Sequence, residues 1–159
     1  MGTEIERKFL VEDDDWDANE ETSADEIDQG YFGPDVEIRV RRYGDHHVVT
    51  WKAGKGRSRT EVEIPVDAET FDQLWELTAG SRLQKVRHRV PISGGLVAEL
   101  DRYRGRLEGL SVVEVEFDSD EASRAFTPPP GFGAEVTDDE RFANAKLAVA
   151  DSPPAAPAG

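Results

Sequence analysis

Charged residues recur at every second position along several segments of this chain, and neighbours within each series usually carry the same charge. The acidic series comprise Glu4 and Glu6, Glu61 and Glu63, Glu99 and Asp101, and Glu114 and Glu116. Residues two apart on a β-strand share one face and lie about 7 Å apart, so like charges there repel unless opposite charge intervenes. Carboxylate oxygens favour hard cations, and the acidic series therefore indicate binding of Mg²⁺, Mn²⁺ or Ca²⁺.

Cationic residues follow the same alternation and indicate a polyanionic ligand. They are Lys8, Arg39, Arg41, Lys52, Lys85, Arg87 and Arg89. Arginine offers two-pronged contacts to phosphate oxygens, and lysine offers a compact charge. If the eight acids and seven bases face one lumen, the empty lumen carries a charge of about −1. Two divalent ions and a linear triphosphate of roughly −4 to −5 then bring the loaded site close to neutrality.

An ordinary sheet with one solvent-exposed face also alternates charged and apolar residues, and for any single strand that explanation is sufficient. Such a face mixes Ser, Thr, Asn, Gln and both signs of charge, whereas here the neighbours on a face usually share a sign. Same-sign pairing on strand after strand favours the other explanation, in which the charged faces converge on common ligands.

The alternation predicts a mainly β protein (α+β) with a few flanking helices. Predicted strands cover residues 3–11, 27–32, 36–43, 46–53, 58–65, 82–92, 96–103 and 110–118. Predicted helices cover 68–78, which Asp67 caps, 120–126, and a segment that a capping box at Thr137 begins. Short connections favour antiparallel hairpins, and eight such strands indicate a closed antiparallel β-barrel or a sandwich with helical covers.

The composition excludes several classes of protein. The chain has 159 residues, the usual size of one domain, and no cysteine, which excludes disulfide scaffolds, Cys-ligated zinc and a cysteine nucleophile. The net charge of −15 argues against nucleic acid as a partner, and no apolar run is long enough to span a membrane. We therefore expect a cytoplasmic protein, with a solvated loop in the acidic run over residues 12–28.

Seven short motifs follow one another in a fixed order. They are Glu4-Ile5-Glu6-Arg7-Lys8, Arg39-x-Arg41, Thr50-x-Lys52, Glu61-x-Glu63, Lys85-x-Arg87, Glu99-x-Asp101 and Glu114-x-Glu116. This series resembles the signature of the CYTH superfamily, the triphosphate tunnel metalloenzymes, and residues 141–148 resemble the closing helix of that family. The resemblance implies a closed eight-stranded antiparallel β-barrel that forms a tunnel over residues 1–149. Residues 150–159 are expected to be a disordered Pro- and Ala-rich tail.

The resemblance also implies a function, the metal-dependent hydrolysis of a triphosphate inside the tunnel, with inorganic triphosphate as the favoured substrate. It implies Mg²⁺ or Mn²⁺ as cofactor, with two ions bound. The implied metal ligands are Glu4, Glu6, Glu61, Glu63, Asp101, Glu114 and Glu116. The implied substrate-binding residues are Lys8, Arg39, Arg41, Lys52, Lys85 and Arg87. The implied catalytic residues are Lys8, Tyr31 and Lys85.

Other functions stay open at this point. One is an enzyme acting on an organic triphosphate, either a triphosphatase for thiamine triphosphate or a nucleotide, or a class IV-type adenylate cyclase. These enzymes need a pocket for a base or a thiamine ring, and the sequence does not reveal one. The other is a non-catalytic protein that binds polyphosphate or a nucleotide. The chain is expected to be a monomer or a homodimer.

Overall fold

The structure is a computed structural model that describes the sheet and the segments that cover it. The described residues are 5–11, 23–32, 37–53 and 60–158. Glu4 and residues 12–22, which form most of the predicted acidic loop, lie outside them. Residues 23–26, also assigned to that loop by their charge, instead form the start of a strand.

Nine strands make up the fold, and they include all eight that the alternation predicts. Their bounds are β1 Ile5–Val11, β2 Ser23–Tyr31, β3 Ile38–Tyr43, β4 His46–Ala53, β5 Thr60–Pro65, β6 Arg82–Pro91, β7 Val97–Tyr103, β8 Ser111–Phe117 and β9 Phe132–Glu135. They form one antiparallel sheet in the order β5-β4-β3-β2-β6-β7-β8-β1-β9. The predicted mainly β antiparallel architecture is therefore confirmed.

The closed eight-stranded barrel differs from the observed sheet in two respects. A ninth strand, β9, pairs with the free edge of β1, where Phe9 lies opposite Glu135. Within the described residues, the outer strands β5 and β9 form no hydrogen-bonded ladder with each other, so the sheet is open in its hydrogen bonding. The prediction missed β9 because it has only four residues and follows a run of prolines at 128–130, which reads as a loop.

Helix α1, Ala68–Glu76, begins where it was predicted, since the Asp67 side chain accepts a hydrogen bond from the Thr70 amide at 2.7 Å. Its buried residue, Phe71, packs against the sheet. The turn after the helix lies so close to β2 that a Cβ at Gly30 would be 2.5 Å from Thr78 Oγ1. Gly30 therefore allows this contact on the outer face of β2, while its two neighbours point to the other face.

The apolar residues of β1, β7 and β8 form a core on the outer face of the sheet. Its buried members are Phe9, Ala98, Val113, Val115 and Phe117. Helix α2, Asp120–Ala125, follows a Ser119 cap, and the residues Phe126 and Phe132 after it pack against this core. Among the described residues, no helix is long and apolar enough to cross a membrane.

The C-terminal segment closes one end of the sheet with two short helical turns. A 3₁₀ turn covers Glu140–Phe142, and helix α3 covers Asn144–Leu147. The predicted capping box at Thr137 is wrong, because the Thr137 hydroxyl contacts Glu135 and the Lys8 amide, and Asp139 caps the turn instead. Phe142 and Leu147 are buried in a second core, on the face of the sheet opposite to the first.

Arg106 fastens this closing segment to the sheet. Its guanidinium donates hydrogen bonds to the backbone carbonyl oxygens of Arg82, Leu147, Ala148 and Ala150. Because each such bond contributes about 1 kcal/mol, Arg106→Ala is expected to lower the free energy of unfolding by about 2–3 kcal/mol. Urea denaturation followed by circular dichroism measures this change.

Arg104→Ala is the matched control, because the Arg104 side chain makes an exposed ion pair with Glu26 on the sheet. Loss of an exposed pair costs less than about 1 kcal/mol. Equal destabilisation by the two substitutions would contradict the fastening role of Arg106.

Candidate active site

Eight strands direct side chains to one cavity of about 500 Å³, and seven of them contribute charged residues. Its lining contains seven cationic side chains: Lys8, Arg39, Arg41, Lys52, Lys85, Arg87 and Arg89. It also contains seven acidic side chains: Glu6, Glu37, Glu61, Glu63, Glu99, Glu114 and Glu116. The predicted geometry, in which ionic side chains face one another across a shared lumen, is therefore confirmed for the described residues.

The cavity is deep at one end and open at the other. Along β6, side-chain exposure rises from 0% at Lys85 to 10% at Arg87 and 41% at Arg89. Below Lys85 the same face of the sheet turns apolar, and Leu83 is buried in the core under the closing segment. A linear polyanion would therefore enter beside Arg89 and reach Lys85 last.

Arg39 and Arg41 on β3 present incompletely paired guanidinium groups to the cavity. The Nε atoms of both are buried and have no hydrogen-bond partner in the part of the chain that the structure describes. Arg39 forms a long ion pair of 4.0 Å with Glu61 on β5, and Arg41 forms one of 3.9 Å with Glu63. Burial, with the charges of Arg39 and Arg87, lowers the pKa of Arg41 to about 10. A buried guanidinium whose donor lacks an acceptor and whose charged form is disfavoured would be stabilised by an anion. These are the features of an anion-binding site.

Lys85 and Arg87 share one buried carboxylate. Asp101 Oδ2 lies 2.8 Å from Lys85 Nζ, and Asp101 Oδ1 lies 2.7 Å from Arg87 Nε. Burial alone would raise the pKa of Asp101, but the two cations outweigh it and hold that pKa at about 2. Burial lowers the pKa of Lys85, which Asp101 opposes only in part. Asp101 thus aims two cations at the cavity while itself lying outside the lining.

A carboxylate cluster lies on the other wall, where β1 and β8 pair. Glu6 lies directly opposite Glu116, and Lys8 lies opposite Glu114 with Nζ 3.5 Å from its carboxylate. The Glu6 and Glu114 carboxyl groups are in hydrogen-bond contact. Burial alone would raise the pKa of Glu114, but the charges of Lys8 and Lys85 outweigh it and lower that pKa. Two carboxyl groups in contact require a shared proton or a cation between them.

These carboxylates fit a divalent cation whose coordination the substrate completes. Among the residues that the structure describes, no three acidic or histidine side chains are close enough to hold a metal ion by themselves. Magnesium is commonly bound by one or two carboxylates together with phosphate oxygens and water. The pair Glu6 and Glu114 supplies such oxygens at the cavity wall, and Glu116 lies beside Glu6 across the β1–β8 ladder.

Tyr31 lies in the lining beside the arginines of β3. Its hydroxyl accepts a hydrogen bond from Gln29 Nε2 at 2.6 Å and contacts the Arg39 guanidinium. Burial raises the pKa of Tyr31, although Arg39 opposes that rise. The tyrosine is therefore protonated near neutral pH and offers its proton as a hydrogen-bond donor.

Twelve of the predicted site residues line the cavity together. They are Glu6, Lys8, Tyr31, Arg39, Arg41, Lys52, Glu61, Glu63, Lys85, Arg87, Glu114 and Glu116. Asp101 does not line it, since it lies behind Lys85 and Arg87, and Glu4 lies outside the described residues. Charge alternation missed Gln29 and Asn144, which are uncharged. The alternation itself could have found Gln29, since it is two residues from Tyr31 on β2.

Comparison with known proteins now decides the family. A profile of the CYTH domain matches residues 2–127. The chain belongs to the CYTH family. An inorganic triphosphatase from Nitrosomonas europaea is 43% identical over 150 residues, which cover 92% of this chain and 97% of the relative. A second inorganic triphosphatase, from Acetivibrio thermocellus, is 34% identical over 152 residues, covering 92% and 94% of the two chains.

The CYTH fold is also found in a solved structure. A crystal structure of an inorganic triphosphatase superimposes with a TM-score of 0.76 at 40% identity, covering 96% of this chain and 98% of that chain. The CYTH profile ends at residue 127, before the closing segment. The superposition covers 96% of this chain and therefore includes that segment. The CYTH assignment confirms the resemblance that the motif series indicated.

Proposed function

We propose that this chain hydrolyses inorganic triphosphate to diphosphate and phosphate, in a reaction that depends on a divalent metal ion. The observation that carries the proposal is that Arg39 and Arg41 line a cavity with five further cations of the described residues, while their buried Nε donors find no partner within that part of the chain. These groups gain their missing hydrogen bonds and lose their mutual repulsion when a polyphosphate binds. The names of the two relatives support hydrolysis of triphosphate as the activity.

The lining favours an inorganic substrate over an organic one. Within the described lining, Tyr31 is the single aromatic side chain, and the apolar side chains are those of Ala143 and Ala145. Sites for drug-sized organic ligands are lined mainly by apolar and aromatic groups, which would contact a nucleobase or a thiamine ring. This cavity offers ionic contacts from almost every strand instead, so the phosphate chain is the part that it is built to bind.

The cationic residues bind different parts of the phosphate chain along the cavity. Arg39 and Arg41 provide forked donors from β3, and Lys52 adds a charge from β4. Lys85 and Arg87, fixed by Asp101, hold the inner phosphate, and Lys8 approaches it from β1. Charge that develops on the phosphate oxygens during hydrolysis thus meets donors whose positions are set before the substrate arrives.

We propose Mg²⁺ or Mn²⁺ as the cofactor, held by Glu6 and Glu114 together with phosphate oxygens, with Glu116 acting through water. When bound, the metal supplies charge neutralisation of the phosphates and a lowered pKa of coordinated water. Glu61 and Glu63 on β5 are the candidates for a second ion, since they alternate on the cavity face of the edge strand.

We propose that residues 1–149 form the catalytic domain and that residues 150–159 form the tail. The presence of Asn144 in the cavity lining supports this division. The partner is a small triphosphate rather than a nucleic acid or a membrane, which the net charge of −15 supports. We place the protein in the cytoplasm, as a monomer or homodimer.

A turnover screen tests this function. Purified protein is incubated with inorganic triphosphate, ATP or thiamine triphosphate, each with Mg²⁺, Mn²⁺ or excess chelator, and products are separated by ion chromatography. We expect diphosphate and phosphate from inorganic triphosphate at a rate at least 10² times that for ATP, and loss of turnover with the chelator. Cyclic AMP from ATP would instead support a cyclase, and tight binding without products would support a binding protein.

A further inference from the structure

Gln29 is the least expected polar residue of the cavity. It is 1% exposed, lines the cavity, and projects from β2 on the same face as Tyr31. Its Nε2 atom donates a hydrogen bond to the Tyr31 hydroxyl at 2.6 Å. Its Oε1 atom is buried and has no hydrogen-bond partner within the described ranges of the chain. A buried amide that leaves one of its polar atoms unpaired needs a reason for its presence.

The Tyr31 hydroxyl is surrounded by donors. Gln29 Nε2 donates to it, and the Arg39 guanidinium, which has no acceptor atom, also contacts it. A phenol oxygen that accepts a hydrogen bond from the amide and has a guanidinium beside it points its own proton away from both donors. Since Tyr31 lines the cavity, a phosphate chain bound there would meet that proton.

The orientation of the Gln29 amide decides where this proton goes. Gln29 lies directly opposite Arg41 in the β2–β3 ladder, so the two side chains lie next to each other on the cavity face. An amide oxygen beside an arginine is attracted to it, whereas a reversed amide would turn its N–H groups toward that cation. Reversal would also let Gln29 accept the Tyr31 proton, which would then be lost to the substrate.

We propose that Gln29 is a positioning residue, which holds the Tyr31 hydroxyl as a hydrogen-bond donor to an oxygen of the bound phosphate chain. The role of Gln29 is to donate to the tyrosine oxygen and so prevent the tyrosine from donating to the protein. Burial raises the pKa of Tyr31, which keeps the proton in place at neutral pH. A donor fixed in advance stabilises negative charge that develops on a phosphate oxygen in the transition state. This inference rests on the proposed triphosphatase function.

A double-mutant cycle tests the positioning role, with kcat and KM for inorganic triphosphate measured in Gln29→Met, Tyr31→Phe and the double variant. Methionine matches the shape of glutamine and removes both polar atoms. We expect Tyr31→Phe to lower kcat about 10²-fold, and Gln29→Met to lower it about tenfold with little change in KM. In the Tyr31→Phe background, Gln29→Met is expected to cause no further loss, since the group that it positions is gone.

Two more variants keep the result interpretable. Gln84→Met is the matched control, because Gln84 is exposed and donates to Asp28 on the outer face; its turnover is expected to equal that of the wild type. Gln29→Glu replaces the donor by an acceptor and is expected to lower kcat at least as far as Gln29→Met. Thermal unfolding of each variant shows that the fold is retained.

The outcomes separate the two proposals. Losses in the double variant that multiply, or a Gln29→Glu variant with wild-type kcat, would overturn the positioning role while leaving the triphosphatase function intact. Absence of triphosphate turnover in the wild type would instead overturn the proposed function itself.

Discussion

Arg41→Gln is expected to lower kcat/KM for inorganic triphosphate by about 10²- to 10³-fold while leaving the empty protein at least as stable as the wild type. The loss follows from removing a forked phosphate donor whose Nε has no partner among the described residues. The expected stability follows from the pKa of Arg41, which burial and the neighbouring cations hold at about 10, well below its usual value. The charged form is therefore disfavoured by folding at every pH below about 10, and its removal relieves that cost.

Loss of the ion pair with Glu63 is expected to change the stability of the variant little. Glu63 lies 3.9 Å from Arg41 and is about half exposed, so water solvates it in the variant. Thermal unfolding without ligand gives the stability of the empty protein. Addition of triphosphate with Mg²⁺ is expected to raise the unfolding temperature of the wild type more than that of the variant, because binding to the folded state stabilises it.

Arg42→Gln is the matched control for this prediction. Arg42 is the next residue of β3, points to the opposite face, and pairs with Asp28 at 2.6 Å. Its replacement is expected to leave kcat/KM unchanged and to lower stability slightly, which is the reverse of the pattern at Arg41. Equal losses of turnover in the two variants would mean that β3 is sensitive to any change, and would contradict a specific role for Arg41.

The opposite behaviour of Arg41 and Arg42 shows why so much of the fold could be predicted. The strand period of two assigns adjacent residues to opposite faces of the sheet. Like charges on one face repel one another, so that face must lie near groups of opposite charge. These two arguments predicted eight strands and the convergence of eleven of the twelve site residues, all but Tyr31, without knowledge of any pairing. Local spacing is sufficient wherever a property depends only on which face a residue occupies.

Asp101 shows where local spacing fails. It is two residues from Glu99, and the spacing assigns both to the metal-binding face. Only the register of β6 with β7, which places Arg87 directly opposite Asp101, reveals that two cations already occupy this carboxylate. Register between strands depends on contacts far apart in sequence, and a pattern within one strand does not contain it. The closure of the sheet and the pairing of β9 are long-range features of the same kind.

Gln29 shows a different failure. It shares a face with Tyr31, and the period of two places it in the cavity. An argument from charge passes over it because an amide carries none. Its contribution depends on the direction of one hydrogen bond, which the sequence does not encode locally.

Asp101→Asn is expected to produce the largest loss of stability of any single substitution in the cavity wall, about 3–5 kcal/mol in the free energy of unfolding at pH 7. The aspartate is 1% exposed and bonds to both Lys85 and Arg87. Its replacement removes the carboxylate that is hydrogen-bonded to the fully buried Lys85 ammonium, in a place where burial already lowers the pKa of that lysine. Triphosphate turnover is expected to fall as well, because the two inner cations lose the group that aims them.

The dependence of stability on pH provides an independent measure of the same carboxylate. The folded state holds the pKa of Asp101 at about 2, below the usual value of 3.8. A depressed pKa means that the stabilisation is complete above about pH 4 and is lost as the pH falls toward 2. The shift corresponds to about 2 kcal/mol, and this part of the acid-induced loss is expected to be missing in Asp101→Asn. Urea denaturation at successive pH values from 7 to about 2.5 measures it in both proteins.

Asp28→Asn separates a buried charge cluster from an ordinary ion pair. Asp28 also bonds to an arginine, Arg42, but on the outer face and with a partner that water reaches. Its replacement is expected to cost about 1 kcal/mol, because the unpaired arginine is solvated rather than buried. A cost at Asp101 no greater than that at Asp28 would mean that Lys85 and Arg87 do not depend on a common carboxylate. Their positions would then have to be set by the sheet alone, and the inner phosphate would meet cations that no buried group aims.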